Sequence, residues 1–217
     1  MELITWALDV AMHLDVHLKD LVAQYGTGIY TILFLIVFIE TGLVIWPFLP
    51  GDSLLFVTGT LAAAGDMDIV TVMIVLIGAA LTGDNVNYAI GRLAGPRVFQ
   101  RERSRWFNPA HLARAHAFYE RHGGKTIILA RFIPIIRTYA PFVAGVGAMP
   151  YWRYLGFCIV AAVLWVVSLC LAGYFFGNIP MVRQNLSLVI ALIVLTSIMP
   201  GVVAWLRRHR AAGPAQT

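Results

Sequence analysis

The chain has 217 residues, of which 59% are hydrophobic and 12% are charged, and its formal net charge is +5. Soluble domains carry about 25% charged residues, so this composition excludes an ordinary soluble protein. With a mean hydropathy of +0.77, it predicts a polytopic membrane protein. The positive charge is concentrated in two stretches, where it indicates membrane topology rather than nucleic-acid binding.

The pattern of the N-terminal segment, residues 1–27, predicts an amphipathic helix. Apolar residues recur at helical spacing over residues 2–25, and polar residues fall on the other side. A helix lying in the membrane interface is the simplest structure for this pattern. His13 and His17 are four residues apart on it, but no third ligand accompanies them, and we predict no metal site.

The first predicted span covers residues 29–46 and contains a single charge, Glu40. A helix-breaking sequence with an acid follows it, made of Pro47, Pro50, Gly51 and Asp52. Residues 53–65 are apolar but too few to cross the bilayer and return. We therefore predict that residues 47–65 form a first re-entrant hairpin, shaped by the two prolines and the glycine.

The second predicted span covers residues 69–91 and carries three polar side chains near its far end. These are Asp84, Asn85 and Asn87. We expect them to cap a helix or to make hydrogen bonds between helices.

The polar segment 92–124 is rich in arginine, and three arginines also occur between residues 207 and 217. By the positive-inside rule both segments are cytoplasmic. Residues 66–68 and 178–185 are then expected on the outer side.

A second broken segment begins at Arg131, and a second arginine, Arg137, lies six residues further on in apolar sequence. Burying a guanidinium at membrane depth is costly, so such residues usually face a cavity or a partner. Pro134, Pro141 and Gly145 argue against one smooth spanning helix and predict a second re-entrant hairpin. The alternative is a juxtamembrane helix whose arginines extend to lipid headgroups.

The two halves of the chain resemble each other when they are shifted by 86 residues. The shift places Phe56-Val57-Thr58-Gly59 on Phe142-Val143-Ala144-Gly145. It also places the span 69–91 on the uncharged span 154–177, which should run in the opposite direction. Residues 186–206 form the last predicted span. An inverted repeat of this kind is a common transporter design.

The predicted fold is therefore an all-α polytopic membrane protein. It is an inverted repeat with two facing re-entrant helical hairpins, about four full transmembrane helices and the N-terminal amphipathic helix. We predict one membrane domain over residues 1–217, divided into segments 1–27, 28–91, 92–124, 125–206 and 207–217.

Three motifs of the chain resemble those of the DedA family, also called the SNARE-associated or VTT-domain family. They are Glu40 with Pro47-x-x-Pro50-Gly51-Asp52, then Gly83-Asp84-x-x-x-Tyr88-x-x-Gly91-Arg92-x-x-Gly95, and Arg131-Phe132-x-Pro134-x-x-Arg137-x-x-x-Pro141-x-x-Ala144-Gly145. The resemblance implies a multi-pass protein of the bacterial inner membrane with two facing hairpins. It also implies lipid translocation: recycling of undecaprenyl phosphate driven by the proton motive force, or phospholipid scrambling in the wider family.

The resemblance implies functional roles for four charged residues. The family's functional acids fall on Glu40 and Asp52, and its functional arginines on Arg131 and Arg137. Physical reasoning supports these roles, because a phosphate head group needs cationic donors, and Thr138 and Tyr139 could add neutral ones. The two acids could exchange protons during transport. Alternatively, they are structural partners of the arginines without a proton role.

Four functions fit the sequence to different degrees. We expect a transporter of polyprenyl phosphate, with the membrane and protons as its other partners, no cofactor, and a homodimer as one compatible assembly. A phospholipid scramblase and a proton or cation exchanger remain alternatives. A lipid phosphatase would need histidines near its arginines, and none occurs between residues 123 and 208, so we do not expect an enzyme.

Overall fold

A computed structural model describes residues 14–42, 51–99 and 124–177, with single positions between 179 and 192. All regular elements in these ranges are helices, as predicted. They are α1 (Leu14–Tyr25), α2 (Ile29–Gly42), α3 (Gly51–Ala63), α4 (Ile69–Phe99), α5 (Lys125–Arg131), α6 (Pro134–Val146) and α7 (Tyr151–Phe176), with a short 3-10 turn (Gly26–Gly28) between α1 and α2.

Three helical stretches are long and apolar enough to cross a membrane: Val16–Gly42, Ile69–Ala94 and Tyr151–Phe176. At about 1.5 Å per residue, each exceeds the roughly 30 Å of a bilayer's hydrocarbon core. The predicted all-α fold with several candidate membrane spans is thereby confirmed. The predicted last span, residues 186–206, lies almost entirely outside the described residues, as do residues 207–217 and most of the segment 92–124.

The N-terminal helix has the predicted two-sided character over its described part. Leu18 is buried against the core, while His17 and Asp20 are exposed. Gly26 has a positive φ of 51°, which suits glycine and separates α1 from α2. By length and composition alone, α1 and α2 nevertheless form one apolar stretch of 27 residues, Val16–Gly42, that could span a membrane.

Helix α4 extends beyond the predicted end of its span. We expected it to end at Gly91, but it continues through Arg92 to Phe99. The prediction placed the end where the apolar run stops. Backbone hydrogen bonds do not depend on that boundary, so a helix can leave the membrane and continue in polar sequence.

The segment containing the two arginines is broken, but at one proline only. Helix α5 ends at Arg131, and α6 begins at Pro134. The prediction that Pro141 also interrupts the helix is wrong, because Pro141 lies inside α6; its part in shaping a hairpin stays a prediction. A proline there removes one helical hydrogen bond, and the helix tolerates the loss.

Helices α3, α5 and α6 are short, with 13, 7 and 13 residues. At about 1.5 Å per residue none of them reaches the roughly 30 Å of the hydrocarbon core. Helix α3 packs against α7, α6 packs against α4, and α2 also packs against α4. The short helices are therefore held by the long apolar ones.

Glycines allow these helices to approach closely. A Cβ at Gly145 would overlap the carbonyl oxygen of Tyr88 on α4, and a Cβ at Gly59 would overlap that of Cys170 on α7. Gly145, which we predicted to shape a hairpin, therefore serves helix packing near the end of α6.

Buried apolar side chains form two clusters. The larger joins α1, α2 and α3 to parts of α4 and α7, and the smaller joins α5 and α6 to the other parts of α4 and α7. On α4 the larger cluster includes Ala80 and the smaller includes Tyr88. Asp84 lies between them, at the level where the charged residues described next come together.

Candidate functional site

Five charged side chains meet inside the helical core, and each comes from a different helix. They are Glu40 of α2, Asp52 of α3, Asp84 of α4, Arg131 of α5 and Arg137 of α6. All of them except Asp52 are buried, with relative exposures between 1% and 8%, whereas the Asp52 side chain is 18% exposed. Charges buried this deeply require partners.

Arg137 is held by two carboxylates. Its Nη1 donates to Asp52 Oδ1 at 2.5 Å, and its Nη2 donates to Glu40 Oε1. The guanidinium therefore joins α6 to α2 and α3 at one point. The second oxygen of Glu40, Oε2, is buried without a hydrogen-bond partner among the described residues.

Arg131 pairs with a third carboxylate. Its Nη1 donates to Asp84 Oδ2, and both side chains are almost fully buried. The thiol of Cys158 on α7 also donates to Asp84 Oδ2, at 3.4 Å, and the hydroxyl of Tyr154 donates to the Asp84 backbone carbonyl at 2.9 Å. Helix α7 thus holds both the side chain and the backbone of Asp84 in place.

The indole of Trp165 connects the two ion-pair groups. The guanidinium carbons of Arg131 and Arg137 lie 4.8 and 5.0 Å from the centre of its ring. Its Nε1 donates to Asp52 Oδ1 at 2.9 Å. Cation–π contacts on one ring therefore hold both arginines in the same small region.

Glycines shape the walls of the site. A Cβ at Gly51 would overlap the carboxylate of Glu40. Helices α2 and α4 also approach closely at Gly42 and Gly83, where a Cβ on Gly42 would lie 3.3 Å from the Gly83 Cα. This approach brings Glu40 and Asp84 towards the same pair of arginines.

The structure brings together the four charged residues that the resemblance singles out. Thr138 is buried beside them, and its carbonyl accepts from Asn87 Nδ2 at 2.7 Å. Tyr139 is 43% exposed, and its part in head-group binding stays a prediction. The predicted hairpin residues Pro47 and Pro50 lie outside the described residues.

Sequence reasoning left two roles open for Asp84, and it missed Trp165. The predicted hydrogen bond between helices is confirmed, because Asp84 on α4 accepts from Arg131 on α5; that this bond is a buried ion pair was not predicted. Asn87, three residues further along α4, also bridges helices as expected, through the carbonyls of Thr41 and Thr138. For Trp165, the only sequence signal is that a buried indole N–H needs an acceptor.

No metal centre is found in the part of the chain that the structure describes. There, no group of three or more histidine, cysteine, aspartate or glutamate side chains could hold an ion. Three carboxylates do meet at the site, but two arginines neutralise most of their charge.

Comparison with known proteins identifies relatives along the whole chain. The VTT domain model matches residues 49–175, which include all of the site except Glu40. Protein DedA of Escherichia coli (strain K12) is 52% identical over 217 residues, which is 99% of either chain. An uncharacterized membrane protein of Mycobacterium tuberculosis (strain ATCC 25618 / H37Rv) is 45% identical over 86% of this chain and 83% of its own.

A more distant relative is the inner membrane protein YqjA of Escherichia coli (strain K12). It is 36% identical over 83% of this chain and 81% of its own. No solved structure matches the chain significantly. Because the domain model covers more than half of the chain and a full-length relative is about half identical, this protein belongs to the VTT-domain family of membrane proteins, the DedA family.

Proposed function

We propose that the protein transports a phosphate-bearing lipid across the bacterial inner membrane, and that the lipid is a polyprenyl phosphate, most specifically undecaprenyl phosphate. The observation that carries the proposal is the buried cluster of Arg131 and Arg137 with three carboxylates inside apolar helices. A polyprenyl phosphate needs cationic donors for its head and apolar walls for its tail. The inner-membrane location is supported by the name of the relative YqjA.

The balance of charge in the cluster supports coupling to protons. Three carboxylates face two guanidiniums, so the fully ionised cluster already carries an excess negative charge. An anionic head group would add to that excess in a medium of low dielectric constant. A proton taken up by Glu40 or Asp52 would offset it, so lipid and proton would bind together. The proton motive force could then drive transport.

The arrangement of the helices supports alternating access through an inverted repeat. The shift of 86 residues relates Gly59 to Gly145 and Tyr88 to Tyr174. Gly59 approaches α7 at Tyr174, and Gly145 approaches α4 at Tyr88. Helices α3 and α6 therefore each pack on the long helix of the other half, as expected for two facing re-entrant hairpins.

Lipid transport in sealed vesicles tests this function. Purified protein in vesicles with a proton gradient should move polyprenyl phosphate uphill, and dissipating the gradient should abolish uphill movement. Glu40→Gln and Asp52→Asn keep size but cannot titrate, so each should reduce uphill transport at least tenfold. Asp66→Asn changes an exposed acid outside the cluster and is the matched control, with transport expected to stay at the wild-type level.

Other results would identify other functions. Movement without a gradient and without head-group preference would indicate a scramblase. Proton flux that needs no lipid would indicate an ion exchanger. Release of inorganic phosphate from the lipid would indicate a phosphatase. If both neutral variants transported like the wild type across pH, the acids would be structural partners of Arg137 only.

A further inference from the structure

The two arginines of the cluster differ in how many of their donors are occupied. Both terminal nitrogens of Arg137 donate to carboxylates. Arg131 donates to Asp84 through Nη1 alone, and its Nε and Nη2 are buried without a partner among the described residues. The Arg131 side chain is only 4% exposed, so bulk water cannot reach these two donors to accept hydrogen bonds from them.

The two unoccupied nitrogens of Arg131 form one edge of the guanidinium. The N–H of Nε and one N–H of Nη2 point in the same direction on the side away from Nη1. This is the spacing that binds two oxygens of one phosphate or carboxylate group. A neutral hydroxyl offers this edge one oxygen and no charge, so it matches the edge less well.

Asp84 determines where this edge points. It holds Nη1, and it is itself held by Cys158 and by Tyr154. Trp165 covers one face of the same guanidinium. Since the group is planar, fixing Nη1 and one face also fixes the direction of the Nε–Nη2 edge.

We propose that the Nε–Nη2 edge of Arg131 is the anion subsite of the cluster, and that Asp84 is its positioning residue. The edge takes two oxygens of one phosphate group, while Arg137 stays paired with Glu40 and Asp52. The proposal rests on the proposed function for the identity of the lipid. It assigns anion binding to Arg131 and the pairing with the two acids to Arg137.

The first test compares conservative variants of the two arginines. Purified full-length protein in detergent is titrated with polyprenyl phosphate and with neutral polyprenol. Lysine keeps the charge but loses the two-donor edge. Arg131→Lys should reduce the preference for phosphate at least tenfold more than Arg137→Lys does. If Arg131→Lys cannot be purified, Arg131→Gln replaces it, and the expected loss is larger.

The second test separates positioning from charge at Asp84. Asparagine keeps an oxygen that can accept from Nη1, whereas alanine does not. If Asp84 positions the edge, Asp84→Asn should bind phosphate lipid at least fivefold more tightly than Asp84→Ala. If Asp84 supplies only negative charge, both variants should gain phosphate affinity equally. Binding of polyprenol and the thermal transition in detergent show whether each variant is folded.

The outcomes distinguish this inference from the proposed function. Equal losses in Arg131→Lys and Arg137→Lys, or a larger loss in Arg137→Lys, would overturn the division of roles and leave a phosphate-lipid transporter standing. Equal affinities in the two Asp84 variants would overturn the positioning role. A wild-type protein that binds polyprenol as well as polyprenyl phosphate would contradict the proposed function itself.

Discussion

At the scale of single residues, Trp165 holds the site together. Its ring faces both guanidiniums, and its N–H donates to Asp52. We predict that Trp165→Phe, which keeps a ring but loses the N–H, lowers the free energy of unfolding by about 1.5–3 kcal/mol. Trp165→Leu also loses the cation–π contacts and should cost roughly 1–2 kcal/mol more.

Unfolding by a denaturing detergent in mixed micelles measures both changes. Trp152, which is 80% exposed, provides matched controls: Trp152→Phe and Trp152→Leu should each change the free energy of unfolding by less than about 0.5 kcal/mol. Equal costs for Phe and Leu at position 165 would mean that the guanidinium contacts contribute nothing to stability.

The sequence predicted charged site residues better than neutral ones. Glu40, Arg131 and Arg137 are conspicuous because a charge in an apolar run needs a partner. For Asp84 the sequence predicted a cap or a hydrogen bond between helices, and it could not name Arg131 as the partner because the two residues are far apart in the chain. Trp165 lies in an uncharged span, where an aromatic residue resembles any other core residue until its neighbours are known.

At the scale of elements, close helix packing depends on glycine at particular points. We predict that Gly145→Ala lowers the free energy of unfolding by about 1–3 kcal/mol or more, because its Cβ would overlap the backbone of α4. Gly59→Ala should lower the free energy of unfolding by a similar amount, because its Cβ would overlap the backbone of α7. Gly156→Ala is the matched control on α7, since open space surrounds its Cβ position, and it should stabilise by up to about 1 kcal/mol.

The same detergent unfolding assay measures the glycine variants. If Gly145→Ala left the free energy of unfolding unchanged, α6 and α4 would be able to separate without cost.

The sequence predicted the break before Pro134 but not the continuity of α6 through Pro141. Proline lowers the chance of a helix without excluding one, and packing against α4 decides the outcome.

At the scale of the whole molecule, the arrangement across the membrane is still a prediction. Single cysteines are introduced at positions 66 and 103 after Cys158 and Cys170, both buried, are replaced. An impermeant thiol reagent added to intact cells should label position 66 and leave position 103 unlabelled until the membrane is opened. Labelling of position 103 from outside would refute the predicted orientation.

Composition alone was enough to predict the class of the molecule, and hydropathy was enough to predict the helices α4 and α7. How the two halves pack together could not be read from composition. Only six residues are identical over residues 52–91 after the shift of 86, because glycine spacing and helix length carry the similarity rather than particular side chains. The pairing of α3 with α7 and of α6 with α4 becomes visible only in three dimensions.

The contact between Gly51 and Glu40 has an evolutionary consequence. Because a Cβ at position 51 would occupy the space of the Glu40 carboxylate, any larger residue there would move the acid away from Arg137, and we expect selection against it wherever that pairing is needed. We expect position 51 to diverge mainly where the acid has been lost. The two sites should therefore be inherited as one unit, and homologues with a larger residue at position 51 should lack the acid at position 40.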